Sequence, residues 1–139
     1  MDKKIIITIP HYNNPVGLIN TISSINDPIK IDIVITDDGS EIKLDEHQVR
    51  SKYNNKGNIH FIYLDKNYGV GIAANKCLEY VKNKSYKYVA RLDAGDISYK
   101  NKFSKQIEFL EKNNQIMLVG TWARVLDNEG NLLFYIKHP

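Results

Sequence analysis

A chain of 139 residues with 42% hydrophobic content can bury one core and is too short for two independent ones, which makes residues 1–139 a single domain. Nineteen basic against sixteen acidic residues leave a formal net charge of +3 with no long run of one sign, and this excludes nucleic acid as the natural partner. No apolar stretch nears the ~20 residues of a membrane span, Met1-Asp2-Lys3-Lys4 opens onto too few apolar positions for a signal peptide, and a lone Cys77 cannot form an internal disulfide, so the expected setting is the cytoplasm.

In chain order, Ile5 to Ile9 is a β-branched run closed by Pro10, which predicts a strand buried on both faces. Asn13 or Asn14 caps a helix with Pro15 in its first turn, and Leu18, Ile19, Ile22 and Ile25 recur at helical spacing until Asp27-Pro28. Ile31 to Thr36 is a second strand that ends in Asp37-Asp38-Gly39-Ser40, where acids and glycine cannot continue a buried strand. After a polar stretch, Ile59 to Leu64 is a third strand, followed by the loop Asp65 to Gly71 and a helix carrying Ala73, Ala74, Cys77, Leu78 and Val81. Tyr88 to Leu92 is a fourth strand ending in Asp93-Ala94-Gly95-Asp96. A helix with Phe103, Ile107, Phe109 and Leu110 follows, then an apolar run from Ile116 to Val119 and a hairpin across Asp127-Asn128-Glu129-Gly130-Asn131.

Strands alternating with helices predict an α/β fold, a mostly parallel open sheet with helices on both faces, because parallel neighbours need right-handed helical crossovers. Ligands of such sheets bind beyond the carboxyl ends of the strands, and here the polar groups fall there: Pro10-His11-Tyr12-Asn13, Asp37-Asp38 and Asp93 to Asp96. Acids gathered at one edge repel unless a cation or hydrogen-bond donors balance them. A divalent ion sharing phosphate oxygens would do so, and with no cysteine or histidine cluster to favour zinc the candidate ions are Mg²⁺ and Mn²⁺. Any single one of these aspartates can equally be a helix cap or an Asx-turn.

These segments resemble the amino-terminal half of a family 2 glycosyltransferase of the GT-A type. Four pieces occur in the family's order: Ile9-Pro10-His11-Tyr12-Asn13, Thr36-Asp37-Asp38-Gly39-Ser40, Asn67-Tyr68-Gly69-Val70-Gly71 through Asn75, and Arg91-Leu92-Asp93-Ala94-Gly95-Asp96-Ile97-Ser98. The resemblance implies a nucleoside diphosphate sugar, expected to be UDP-linked, held by Pro10, His11, Tyr12, Asn13, Asp37, Asp38, Asn67, Gly71, Asn75, Arg91 and Asp93. Tyr12 would lie against the base. Asp38, or less favourably Asp37, would accept the imide hydrogen of a uracil. Asp93 would reach the ribose or a metal.

The sequence departs from the family pattern twice. Gly95 stands where the family places the acid that coordinates the divalent cation, leaving Asp93 and Asp96 as the metal candidates, and Ala74 stands where an arginine often precedes Asn75. Arg91 reads either as a pocket residue or as a structural residue at the strand edge, and His11 as a donor-side residue or an exposed loop histidine. His47, His60 and His138 show no metal-ligand spacing. Gly69-Val70-Gly71 lacks the third glycine of a dinucleotide fingerprint.

The reaction implied is sugar transfer with inversion to a hydroxyl of a glycan or other acceptor, with the catalytic base beyond Pro139 in a longer protein that would work in the cytoplasm or peripherally at the inner face of the membrane. The alternative is a catalytically inactive nucleotide-binding or regulatory module of the same fold. A receiver domain is disfavoured because its acid pair belongs after the first strand, whereas here the pair follows the second.

Overall fold

A computed structural model describes residues 4–137. Met1-Asp2-Lys3, His138 and Pro139, which figure in the sequence expectations, lie outside the described residues. Two compact units divide the chain, one running to Lys105 and the other from Gln106.

The first unit is a four-stranded parallel sheet. Its strands are β1 (Ile5–His11), β2 (Asp32–Asp37), β3 (Ile59–Tyr63) and β4 (Tyr88–Arg91), in the order β3-β2-β1-β4. Between them run α1 (Pro15–Ser24), α2 (Glu46–Ser51) and α3 (Val70–Lys82). The order dictates where the helices go. From β1 to β3 the chain steps one way across the sheet, so right-handed crossovers place α1 and α2 on one face; the step from β3 back past β1 to β4 runs the other way and places α3 on the opposite face. The contacts agree, with α1 against α2 and α3 against β1 and β2. Ile6 and Val34 pack with Cys77 and Val81 of α3, while Ile7 and Ile9 lie in register with Ile33 and Ile35 and are fully buried. Every residue of β1 and β2 is buried, as their unbroken apolar runs predict.

Some local expectations are corrected. The first strand does not close at Pro10 but continues to His11. Lys4 and Thr8 accept from β4, so the backbone groups of Pro10 point to the same side, where β4 has already ended at Arg91; the missing N–H therefore costs no ladder bond. The helix α2 was not read in the polar stretch, although Asp45 caps it by accepting from the Gln48 N–H. Six residues with only Val49 buried give too short a stripe for a periodicity signal.

Beyond β4 comes α4 (Lys102–Lys112), whose first backbone N–H groups, at Phe103 and Ser104, are capped by both carboxylate oxygens of Asp27. The second unit holds the antiparallel hairpin β5 (Ala123–Leu126) and β6 (Leu132–Ile136). Its turn is organised by Asp127, which accepts from the N–H groups of Glu129 and Asn131, with Gly130 at φ +88°. The hairpin is as expected. The run Ile116 to Val119 is not a strand, because four apolar residues with Met117 and Leu118 exposed find no ladder among the described residues.

On the outer edge of β3, Arg50 of α2 donates from Nη1 to the Ile59 carbonyl at 2.7 Å and lies over the Phe61 ring. Under α3, the Cys77 thiol is buried 3.1 Å from Thr36 Oγ1, and burial pushes its pKa up. Cys77 is therefore expected to react with Ellman's reagent only as fast as the domain unfolds, and at once in denaturant. Rapid labelling in native buffer would show that α3 does not seal that side of the sheet.

Candidate functional site

The strand order reverses at β1, between β2 and β4, and the loops that follow the four strands gather at the carboxyl edge of the sheet. The residues there are fixed by a dense set of hydrogen bonds. His11 ends β1 with 2% exposure; its Nε2 accepts from the Asn14 N–H at 3.1 Å, which requires Nδ1 to carry the proton it shares with Asp37 Oδ2 at 2.8 Å. His11 is thus no exposed loop residue but a buried bracket between β1, β2 and the start of α1. The other oxygen of Asp37 accepts from the Ser40 N–H, closing the Asp37-Asp38-Gly39-Ser40 turn.

Asn13 adopts φ +48°, a left-handed conformation that asparagine tolerates, and its Oδ1 accepts from the N–H groups of Glu41 and Ile42 while its own N–H donates to Ser40 Oγ. The loops after β1 and β2 are therefore stitched together. Asp38, 3% exposed, stitches β2 to the third loop: its two oxygens accept from the Tyr68 N–H at 2.9 Å and the Gly69 N–H at 2.8 Å. Gly39 lies so close to the same loop that a Cβ there would sit 2.2 Å from the Lys66 carbonyl carbon.

What these brackets leave facing solvent is the surface on which a ligand could rest. Tyr12 is 47% exposed at the tip of the first loop, and Tyr68 is also exposed, its hydroxyl donating to Asp65. Asn67, Gly71 and Asn75 are exposed before and along the first turns of α3. Gly71 has open space around it; the glycine that the backbone requires there is Gly69, at φ +94° in the cap position of α3.

On the far side of the reversal, Arg91 ends β4 in register with Thr8 and donates from Nε to Asp93 Oδ1 at 3.0 Å, both side chains being a little over half exposed. The backbone after Asp93 is held against α1. Asn14 Nδ2 donates to the Ala94 carbonyl, the Gly95 N–H donates to Thr21 Oγ1 at 2.9 Å, and the Ser98 N–H donates to Ser24 Oγ. Thr21 and Ser24 escaped the sequence reading. The signal available was a fully buried threonine within the apolar stripe of α1, which needs a hydrogen-bond partner.

A groove of about 420 Å³ lies beside Gly39, Ser40, Lys43, Glu46, Tyr63 and Asp65. It opens beyond β2 and β3, away from the reversal, from Arg91 at the end of β4 and from Asp93 in the loop after it.

The residues fit a divalent cation poorly. Asp93 is already matched by the Arg91 guanidinium. Gly95 offers no ligand atom, and its φ of +109° suits glycine rather than an acid. The charge of Asp96 acts on Lys102, whose ammonium burial pushes below its ordinary pKa range and Asp96 pulls back up. Among the described residues no group of three or more His, Cys, Asp or Glu side chains is placed to hold a metal. No helix among them is long and apolar enough to cross a membrane.

Comparison with known proteins places this architecture. Residues 6–136 match the family described as Glycosyl transferase family 2. An uncharacterized glycosyltransferase of Methanocaldococcus jannaschii is 31% identical over 143 residues, covering 99% of this chain and 48% of that protein. The putative teichuronic acid biosynthesis glycosyltransferase TuaG of Bacillus subtilis is 34% identical over 104 residues, covering 73% of this chain and 39% of that one. Among solved structures, residues 1–349 of S. aureus TarS in complex with UDP superpose with a TM-score of 0.67 at 22% identity, over 80% of this chain and 33% of that chain. The chain thus spans about half or less of the length of these proteins, and its fold is the GT-A-like α/β arrangement that the sequence implied.

Proposed function

Because the chain belongs to glycosyl transferase family 2, we propose that it binds a uridine diphosphate sugar across the carboxyl ends of β1, β2 and β4, as the donor-binding part of a transferase that passes the sugar to an acceptor hydroxyl with inversion. The observation that carries this is the set of solvent-facing groups on the loops at the carboxyl ends of the strands, left after His11, Asn13 and Asp37 have been used in bracing those loops. Tyr12 offers a flat ring for the base, Asn67 and Asn75 offer amide groups beside the start of α3, and the Arg91–Asp93 pair offers charge for the ribose and diphosphate end. TarS, named in complex with UDP, supports a uridine nucleotide, and TuaG, named for teichuronic acid biosynthesis, supports a glycan acceptor. In such a transfer the acceptor oxygen attacks the anomeric carbon on the face opposite the departing diphosphate, and groups that stabilise that leaving charge lower the barrier.

In Asp38, each oxygen that accepts from the third loop keeps a lone pair, so the imide hydrogen of uracil remains a chemically suitable third donor. Calorimetry with uridine diphosphate tests the proposal. Binding is expected, with Tyr12→Ala weakening it by about tenfold, since a base stacked on an aromatic ring contributes about 1–3 kcal/mol. Absence of any heat with the wild-type chain, or equal affinity for guanosine diphosphate, would sink the uridine reading.

A further inference from the structure

The loop after β4 carries two acids, and the first of them is paired with a cation. Arg91 pairs with Asp93, and Lys102 lies in the field of Asp96. A divalent ion earns its place where several carboxylates and phosphate oxygens share one position with nothing else to balance them. Here Asp93 is already matched by Arg91, and the position that would add another carboxylate is a glycine at φ +109°, where any side chain would be strained. That backbone lies outside even the left-handed region an aspartate tolerates.

The guanidinium of Arg91, by contrast, is incompletely used. Nε donates to Asp93, which fixes the orientation of the planar head, while Nη1 and Nη2 carry four further N–H groups that meet no acceptor among the described residues. The side chain is a little over half exposed at the strand-order reversal. A planar fork held by one edge, with its other edge open, matches two oxygens of a phosphate.

We infer that this chain grips the diphosphate of its nucleotide through the Arg91 guanidinium, oriented by Asp93, and does not depend on a divalent cation to do so. The inference rests on the uridine diphosphate reading above and sharpens it. Asp93 is then a positioning residue for Arg91 rather than a metal ligand.

Uridine diphosphate and uridine are titrated against the intact 139-residue chain, once with Mn²⁺ and once with chelator. The wild type is expected to bind uridine diphosphate with the same Kd, within twofold, in both conditions. Arg91→Ala should weaken uridine diphosphate at least tenfold in both while leaving uridine, followed by ligand-observed NMR, within twofold, and Arg91→Lys should fall between because it keeps the charge and loses the fork. The uridine arm reports an intact base site, so a merely structural role for Arg91 would move both ligands together and overturn the inference. So would a tenfold or greater tightening of wild-type binding by Mn²⁺, or unchanged uridine diphosphate affinity in Arg91→Ala. Should neither ligand bind the wild type in any condition, the donor reading itself fails and takes this inference with it; the metal comparison needs no variant and so stands even if Arg91→Ala does not fold.

Discussion

Replacing Gly39 by alanine is expected to lower the unfolding free energy by about 2–5 kcal/mol, the sum of roughly 1–2 for a side chain in the left-handed region and roughly 1–3 for overpacking. The backbone at Gly39 has φ +69°, and the added Cβ would lie 2.2 Å from the carbonyl carbon and 2.5 Å from the Cα of Lys66. Both obstacles are main-chain atoms, so no side chain can rotate away. One of the two loops must move, and since Asp38 ties these loops together, the displacement reaches the proposed base site as well. For a domain of this size the loss corresponds to a fall in Tm on the order of 10 °C, readable by circular dichroism. A Tm unchanged from wild type would mean that the turn after β2 does not rest on the loop after β3.

Asp38→Ala is expected to cost about 2–6 kcal/mol and to abolish measurable binding of uridine diphosphate. The substitution strands two partly buried backbone donors, the N–H groups of Tyr68 and Gly69, each worth roughly 1–3 kcal/mol when left unsatisfied. Asp38→Asn separates charge from geometry. An amide keeps one acceptor oxygen but presents its NH₂ to the second N–H, so it should recover less than half of the lost stability. Urea titration of the three proteins measures this, and an alanine variant as stable as the wild type would show that the third loop holds its shape without Asp38.

The sheet was legible from the sequence because unbroken β-branched runs in β1 and β2 can only be buried on both faces, although each strand runs one residue past its expected end, to His11 and Asp37. The carboxyl-edge location of the site followed from the same pattern. What the sequence did not disclose is which polar residues face inward. Asp37 and Asp38 read as ligand-facing acids and His11 as a donor-side or an exposed loop residue, and each is buried and bonded to neighbouring backbone or side chains, since a loop cluster at a strand edge must first satisfy its own backbone donors. Asp27 read as a helix stop, but α1 already ends at Ser24 with Ile25 as its cap, and the Asp27 carboxylate instead caps α4 across a sequence distance that no local signal spans. Thr21, hidden in an apolar stripe, holds the Gly95 N–H for the same reason. Arg91 reads two ways from sequence, and the geometry explains why: its Nε is held by Asp93 while its terminal nitrogens make no hydrogen bond among the described residues.

The strand order also sets a timetable for synthesis. The strand made first, β1, lies inside the sheet, and one of its two neighbours, β4, is not translated until more than eighty residues later, as the bond between Thr8 and the Ala90 carbonyl shows. At roughly 5–20 residues per second, the nascent chain spends about 1–5 seconds between the end of β3 and the start of β4, with the β4 side of β1 unfilled. During that interval an apolar strand edge is open to any extended segment that reaches it. Contacts this distant in sequence also close slowly in refolding, so the attachment of β4 is where delay and misassembly would concentrate for this fold.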